Sequence, residues 1–224
     1  TVGAAAPGPQ SPQVAVRAAV RGAAFRWTAV AFTLSGLTTT AVAVHLVALL
    51  LERGHGAAFA GGAMGVLGLM ALPGRLVFTP LGDRWSRGAV TASIFALQAV
   101  GLAALLASRS TAGVWLFVAL FGAGFGAITP ARAALVGDLV PPAAYGRVSG
   151  VLAFVVSLAR AAAPVGASLL YALGGGAGRG YDTVLATLLA LCIASAAAVL
   201  VAGGAASRQR GLVATDISVK EAHA

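Results

Sequence analysis

Long apolar runs separated by short polar punctuation dominate the pattern of this chain. Six such runs occupy about residues 28–51, 57–80, 89–107, 112–137, 148–173 and 181–204. Each approaches or exceeds the roughly 20 residues that a helix needs to cross the hydrocarbon of a bilayer. The runs are continuous, which excludes a barrel built from alternating strands of about 10 residues. The links between runs are short, so neighbouring helices run antiparallel. The pattern predicts an all-α membrane protein with six transmembrane helices, here segments A to F.

The flanks read differently. Residues 1–26 are rich in Pro, Gly, Gln and Ala and carry Arg17, Arg21 and Arg26. They lack the apolar core of a signal peptide. They predict a cytoplasmic linker that turns into a short basic helix at the membrane surface. From Ser207 the chain is polar and predicts a frayed tail. The expected organisation is therefore linker 1–26, bundle 27–205 and cytoplasmic tail 206–224. Thr1 is not an initiator methionine, which suggests a piece or a processed product.

Composition narrows the class. Hydrophobic residues make up 59% of the chain and charged residues 9%, with a mean hydropathy of +0.92. A soluble domain carries about 25% charge, so a soluble enzyme and a disordered chain are both excluded. A net charge of +9 on a soluble protein would suggest nucleic acid. Here the basic residues are scattered between apolar runs and act as topology signals, so no nucleic-acid partner is expected. The N-terminal segment, the B–C and D–E links and the tail hold nine of them; the opposite links hold three, Arg53, Arg109 and Arg179. By the positive-inside rule both termini face the cytoplasm of a multi-pass cell-membrane protein. The single cysteine, Cys192, lies in an apolar run, so neither a disulfide framework nor a metal cluster is expected. No cofactor is expected either.

The apolar runs repeat. Segments C and F have neither charge nor proline. Segments B, D and E each carry one arginine and one proline: Arg75 with Pro73, Arg132 with Pro130, Arg160 with Pro164. Segment A carries His45. This is a three-plus-three repeat, the plan of many secondary transporters. It predicts that A, B, D and E enclose a cavity while C and F lie outside against lipid.

The B–C link reads Pro80-Leu81-Gly82-Asp83-Arg84-Trp85-Ser86-Arg87-Gly88. As chemistry it is a tight polar turn. Asp83 suits the exposed N–H groups that start segment C, and Arg84 and Arg87 anchor the link in the cytoplasm. Asp83-Arg84-x-Ser86-Arg87 resembles the Gly-x-x-x-Asp-Arg-x-Gly-Arg-Lys/Arg signature of the major facilitator superfamily. Thr79, Ser86 and Gly88 stand where the signature has its two glycines and its last basic residue. The run from Gly122-x-Gly124-x-Gly126 through Pro130 to Asp138-Leu139-Val140-Pro141 is similar to the tenth helix of that superfamily and its following loop. His45 through Glu52-Arg53-Gly54 to Pro73-Gly74-Arg75 is similar to bacterial relatives of monocarboxylate transporters. The resemblance covers about residues 25–205. It implies the C-terminal six-helix half of a twelve-helix secondary transporter that works by alternating access. The lipid bilayer, a small and anionic solute, a coupling proton and a missing N-terminal half are the implied partners. Asp83, Arg84 and Arg87 are the implied gating motif.

Candidate site residues follow from burial. A charge at a helix centre costs about 2.5–3.5 kcal/mol on insertion scales, so an intramembrane arginine asks for a partner. Arg160 lies mid-helix among alanines, with no acid inside any of the six runs. Its planar fork suits a substrate carboxylate. Arg75, nearer the cytoplasmic end, is a second anion clamp or a brace on helix carbonyls. Arg132 sits near the cytoplasmic lip, where a bridge to Asp138 would close that face. Histidine titrates near neutral pH, which makes His45 the candidate proton carrier, or else a side chain bonded to a neighbouring helix. Thr38, Thr39 and Thr40 offer hydroxyls at mid-depth, or bond back to their own helix; Thr39 is taken as the site member. Gly61, Gly65, Gly68, Gly122 and Gly126 recur at helical spacing and predict close helix packing.

Other classes fit less well. A rhomboid-like protease needs Gly-x-Ser-Gly, whereas Ser35-Gly36 and Ser149-Gly150 are preceded two positions earlier by Thr33 and Arg147. A six-span water channel needs asparagine boxes, and the chain contains no asparagine. A non-transporting membrane scaffold remains the alternative. Gly122-x-Gly124-x-x-Ala127 mimics a dinucleotide-binding turn, but it lies inside an apolar helix and follows no strand.

Overall fold

The structure is a computed structural model that describes residues 12–222, with side chains described for all of these but residues 12–15, Ala18, Asp83 and Gln209 onward. Among the described residues the chain forms eight helices and no strand: α1 Pro12–Arg21, α2 Ala23–Glu52, α3 Ala57–Leu69, α4 Ala71–Arg84, α5 Arg87–Ala107, α6 Thr111–Leu139, α7 Pro142–Leu173 and α8 Gly180–Ala222. Taking α3 and α4 as one broken span, six helices are long and apolar enough to cross a membrane.

Local chemistry sets the ends. α1 turns Arg17 and Arg21 outward while Val16, Ala19 and Val20 pack inward, as a basic surface helix should. Gly22 interrupts the helix with extended backbone and starts α2. Segment B was predicted as one span; it breaks at Met70. Pro73 lacks an N–H and its ring crowds the carbonyl of Leu69 four residues back, so the ladder gives way there. The Gly74 N–H to Met70 carbonyl bond is long, at 3.3 Å. α4 then continues past Pro80 to Arg84, so most of the expected B–C loop is helical. The turn is reduced to Trp85 and Ser86. The Ser86 hydroxyl accepts from the Ala89 N–H at 3.2 Å and caps α5, the role expected of Asp83. Ser110 caps α6 in the same way through the Gly113 N–H, at 3.2 Å. The α7–α8 loop turns through Gly175, Gly176 and Gly178, all at positive φ, where a Cβ would be strained. The tail beyond Ser207, expected to fray, continues α8 to Ala222.

The packing obeys the three-plus-three repeat. α2 packs on α7 and α8; α6 packs on α3/α4 and α5; α5 and α8 pack on each other. Exchanging α2 with α6, α3/α4 with α7, and α5 with α8 leaves this set of contacts unchanged. α5 and α8 pack on each other, whereas C and F were expected to lie outside against lipid. α5 is as well buried as α6: 56% of the apolar window of each is buried, against 22% for α3/α4 and for α7. The least covered helices are therefore the second of each triplet. In place of the cavity expected among A, B, D and E, cavities lie between α4, α5 and α6 and between α2, α5, α6 and α8, while α3/α4 and α7 present an open face.

The core divides in two. The inner apolar cluster uses Phe25, Ala31 and Phe32 of α2, Val90 to Phe95 of α5, Ala127 onward in α6, Ala144 to Val156 of α7, and Ala198 and Val199 of α8. The outer cluster uses Ala41 to Leu50, Ala60 to Leu67, Ala99 to Leu105, Val114 to Phe121, Ala163 and Ala167, and Val184 to Cys192. Between them lies a mid-depth band of polar and small residues: Ser35, Thr38 and Thr39, Gln98, Gly122 to Gly126, and Ser195.

Candidate functional site

Arg160 and Arg75 both fall in that band. Arg160 lies between the inner cluster residue Val156 and the outer cluster residue Ala163. Arg75 lies between Leu67 of the outer cluster and Phe78, which packs against the inner one. Arg75 stands eight residues from Leu67 and three from Phe78, so it lies toward the inner side of the band.

The repeat pairs these two arginines. Each sits on the second helix of one triplet and lies over a glycine on the first helix of the other. Arg160 covers Gly36: its Cγ and Nε are 3.4 and 3.7 Å from where a Cβ would stand. Arg75 donates from Nε to the Gly126 carbonyl at 3.1 Å. Both residues are exposed on the open face. Neither has an ion-pair partner among the described residues, and Arg160 has no hydrogen-bond partner there either. A guanidinium so placed in a bilayer needs water, an anion or another protein surface over it.

The α4–α6 crossing that carries Arg75 is a backbone contact. A Cβ at Gly74 would collide with the Ala123 carbonyl, and one at Gly126 with the Ala71 carbonyl. At Gly122 it would come within 2.6 Å of the Leu67 carbonyl oxygen. The packing expected of Gly122 and Gly126 is formed. That expected of Gly61, Gly65 and Gly68 is not: all three are exposed, with nothing within 4 Å of a Cβ. The residue that completes the crossing is Gly74.

His45 and Thr39 are committed to helix bonds. His45 donates from Nε2 to the Pro164 carbonyl at 3.2 Å and meets the Tyr181 ring edge-on at a centroid distance of 6.1 Å. Thr39 is buried, and its hydroxyl donates to the Ser35 and Gly36 carbonyls at 2.9 and 3.2 Å. Thr38 bonds back to the Leu34 carbonyl at 3.1 Å.

At the inner end, Arg87 pairs with Asp138 and also donates to the Ala134 carbonyl at 3.3 Å. The bridge expected between Arg132 and Asp138 is not formed. Arg132 is half-buried with no partner among the described residues, and Arg84 is exposed at the end of α4. The Asp83 side chain lies outside the described residues. Beside the Arg87–Asp138 pair, α2, α5, α6 and α8 frame a cavity of about 420 Å³ lined by Thr28, Ser86 and Ser207 among others.

Two features escaped sequence reasoning. Gln98 sits fully buried on α5, its Cγ filling the space a Cβ would take at Gly124, and both amide atoms lack a partner among the described residues. A buried amide left unsatisfied is costly, so it marks the middle of the band as a polar interior. An amide inside an otherwise featureless run was the available signal. The second is an outer clasp. Arg53, its side chain 5% exposed, donates to the Leu105 carbonyl at 2.7 Å and pairs with Asp182 at 3.3 Å; Arg109 pairs with the other Asp182 oxygen at 2.9 Å. Burial lowers the Arg53 pKa from its usual value, and Asp182 opposes that shift. Glu52 accepts from the Tyr171 hydroxyl at 2.7 Å and the Gly178 N–H at 2.8 Å. The clasp ties the end of α2 to the α5–α6 and α7–α8 loops.

No group of three or more His, Cys, Asp or Glu side chains that could hold a metal ion occurs among the described residues. Compared with protein families, residues 3–164 match the family described as Major Facilitator Superfamily. The matched stretch contains Arg75, Asp83, Arg132 and Arg160. No curated protein matches the chain.

Proposed function

This chain belongs to the Major Facilitator Superfamily of membrane transporters, and on that premise we propose that it is one half of a secondary transporter moving a small anionic solute by alternating access. The observation that carries this reading is Arg160: a guanidinium at mid-depth, exposed on the open face, with no acid to neutralise it among the described residues. A substrate carboxylate meets its planar fork through two parallel N–H···O bonds. Arg75, on the pseudo-symmetric helix, supplies the second cationic wall. The other six-helix half of the transporter covers the open face formed by α3/α4 and α7. His45, held through Nε2 by the Pro164 carbonyl, is the candidate carrier of a coupling proton. Asp83, Arg84, Arg87, Arg132 and Asp138 gate the inner end. Both termini face the cytoplasm of the cell membrane, from the split of basic residues.

Arg160→Lys and Arg160→Gln test the reading in the full-length protein. Lysine keeps the charge and loses the fork. Both variants should express and fold normally while binding of a carboxylate solute weakens by about tenfold or more, the loss of one charge-assisted bond. Unchanged binding in both would assign Arg160 to a brace between halves and overturn the proposal.

A further inference from the structure

Arg75 reaches a carbonyl that an ordinary α-helix would not offer. The carbonyl of residue i accepts from the N–H of residue i+4. For Gly126 that position is Pro130, which has no N–H. α6 nevertheless remains helical through Pro130. The Gly126 oxygen is therefore left without its ladder donor in the middle of the span, where an unsatisfied carbonyl is costly. The Arg75 Nε–H fills that vacancy at 3.1 Å. The approach is possible because Gly126 has no side chain: Ala71, one turn before Arg75 on α4, rests where its Cβ would be.

The pseudo-symmetric arginine has no such anchor. Arg160 lies over Gly36, whose i+4 residue is Thr40, with its N–H intact, and whose carbonyl also accepts the Thr39 hydroxyl. The two arginines thus occupy equivalent places with different freedom. Arg75 is pinned through Nε; Arg160 is not.

We infer that Pro130 is a positioning residue: it frees the Gly126 carbonyl to hold Arg75 by Nε, so that the two terminal nitrogens of Arg75 are presented together to a carboxylate on the open face. The inference deepens the anionic-solute reading and rests on it for the ligand class. The Pro130–Gly126–Arg75 linkage itself does not depend on that reading. Holding a side chain in its binding geometry removes the ordering cost that association otherwise carries. In this arrangement Pro130 affects affinity without touching the solute.

Pro130→Ala restores an N–H to the Gly126 carbonyl and displaces Arg75 Nε. The test compares the parent, Pro130→Ala, Arg75→Gln and the double variant in the full-length protein, with two readouts. The first is thermal unfolding without solute. Arg75→Gln should lower the midpoint clearly when residue 130 is proline and by less than half as much when it is alanine. Equal shifts in both backgrounds would overturn the linkage. The second is concentration-dependent uptake of acetate, pyruvate, lactate and benzoate by proteoliposomes. Pro130→Ala should raise the half-saturating concentration of the transported carboxylate by up to about tenfold, the ordering cost of one long side chain, and leave the maximal rate near the parent's. Arg75→Gln should add less on that background than on the parent's. A fall in maximal rate with unchanged half-saturation would show that Pro130 serves helix bending, and would overturn the positioning role. A parent that takes up none of the four carboxylates would overturn the anionic-solute reading, while the unfolding comparison still decides whether Pro130 governs Arg75.

Discussion

One crossing of two helix backbones makes opposite predictions for glycines on the same span. Gly74→Ala puts a methyl group onto the Ala123 carbonyl. The obstacle is main chain, so no rotamer change relieves it, and α4 must move off α6. Forcing an extra carbon into a tight contact costs about 1–3 kcal/mol. Gly65→Ala, one turn before the Met70 break, meets nothing within 4 Å. Replacing a helical glycine by alanine removes an entropic penalty of about 0.5–1 kcal/mol. The two variants should therefore differ by about 1.5–4 kcal/mol, with the parent between them. At the scale of chains of this length that separates their unfolding midpoints by about 3–16 °C. Thermal unfolding of the purified chain in detergent, followed by exposure of the buried Cys192 thiol to a maleimide dye, measures the difference. If Gly74→Ala melts with the parent, or Gly65→Ala falls as far as Gly74→Ala, the backbone crossing is not what holds α4.

Asp182→Asn leaves the nearly buried Arg53 without its counter-ion and should cost about 1–3 kcal/mol, whereas Arg109→Gln removes a side chain 63% exposed and should cost less than about 1 kcal/mol; melting midpoints of the two variants check the order. Arg87→Gln should speed exchange of the transporter between its two faces more than Arg132→Gln does, because it is Arg87 that pairs with Asp138 at the inner lip; single-molecule distance measurements across that lip compare them. In a cysteine-free background, a cysteine at Ser86 should label only from the cytoplasmic side and one at Ser110 only from outside; the reverse pattern would invert the topology.

The span count, the helix order and the triplet repeat were readable because they rest on hydropathy and composition, which lipid enforces on every residue of a span. The break at Met70 is not legible in the sequence, although Pro73 stands three residues beyond it. A proline removes one bond, but how far the helix yields depends on the neighbours that satisfy the freed carbonyl. Gly74 was passed over and Gly61, Gly65 and Gly68 were favoured because spacing shows which glycines share a face, not which face meets another helix. Arg132 and Asp138 share α6 but stand six residues apart, about 240° around the helix, so they face different ways, while Arg87 at the start of α5 comes in beside Asp138. Arg75 and Arg160 were selected from the sequence alone. That each lies over a glycine of the opposite triplet emerges only when the six helices are packed.

The exchange of partners between triplets also bears on how the chain is made. α2 finds its main neighbours in α7 and α8, and α3/α4 finds its own in α6. The first three spans therefore leave the synthesis machinery with most of their packing surfaces vacant. With lipid tails as apolar as leucine, nothing draws them together early. They must wait side by side in the bilayer until α6 arrives to engage α4, and until α7 and α8 close over α2. Assembly of the bundle is thus deferred to its second triplet, and a chain stopped after α5 would be an inserted but unassembled set of helices.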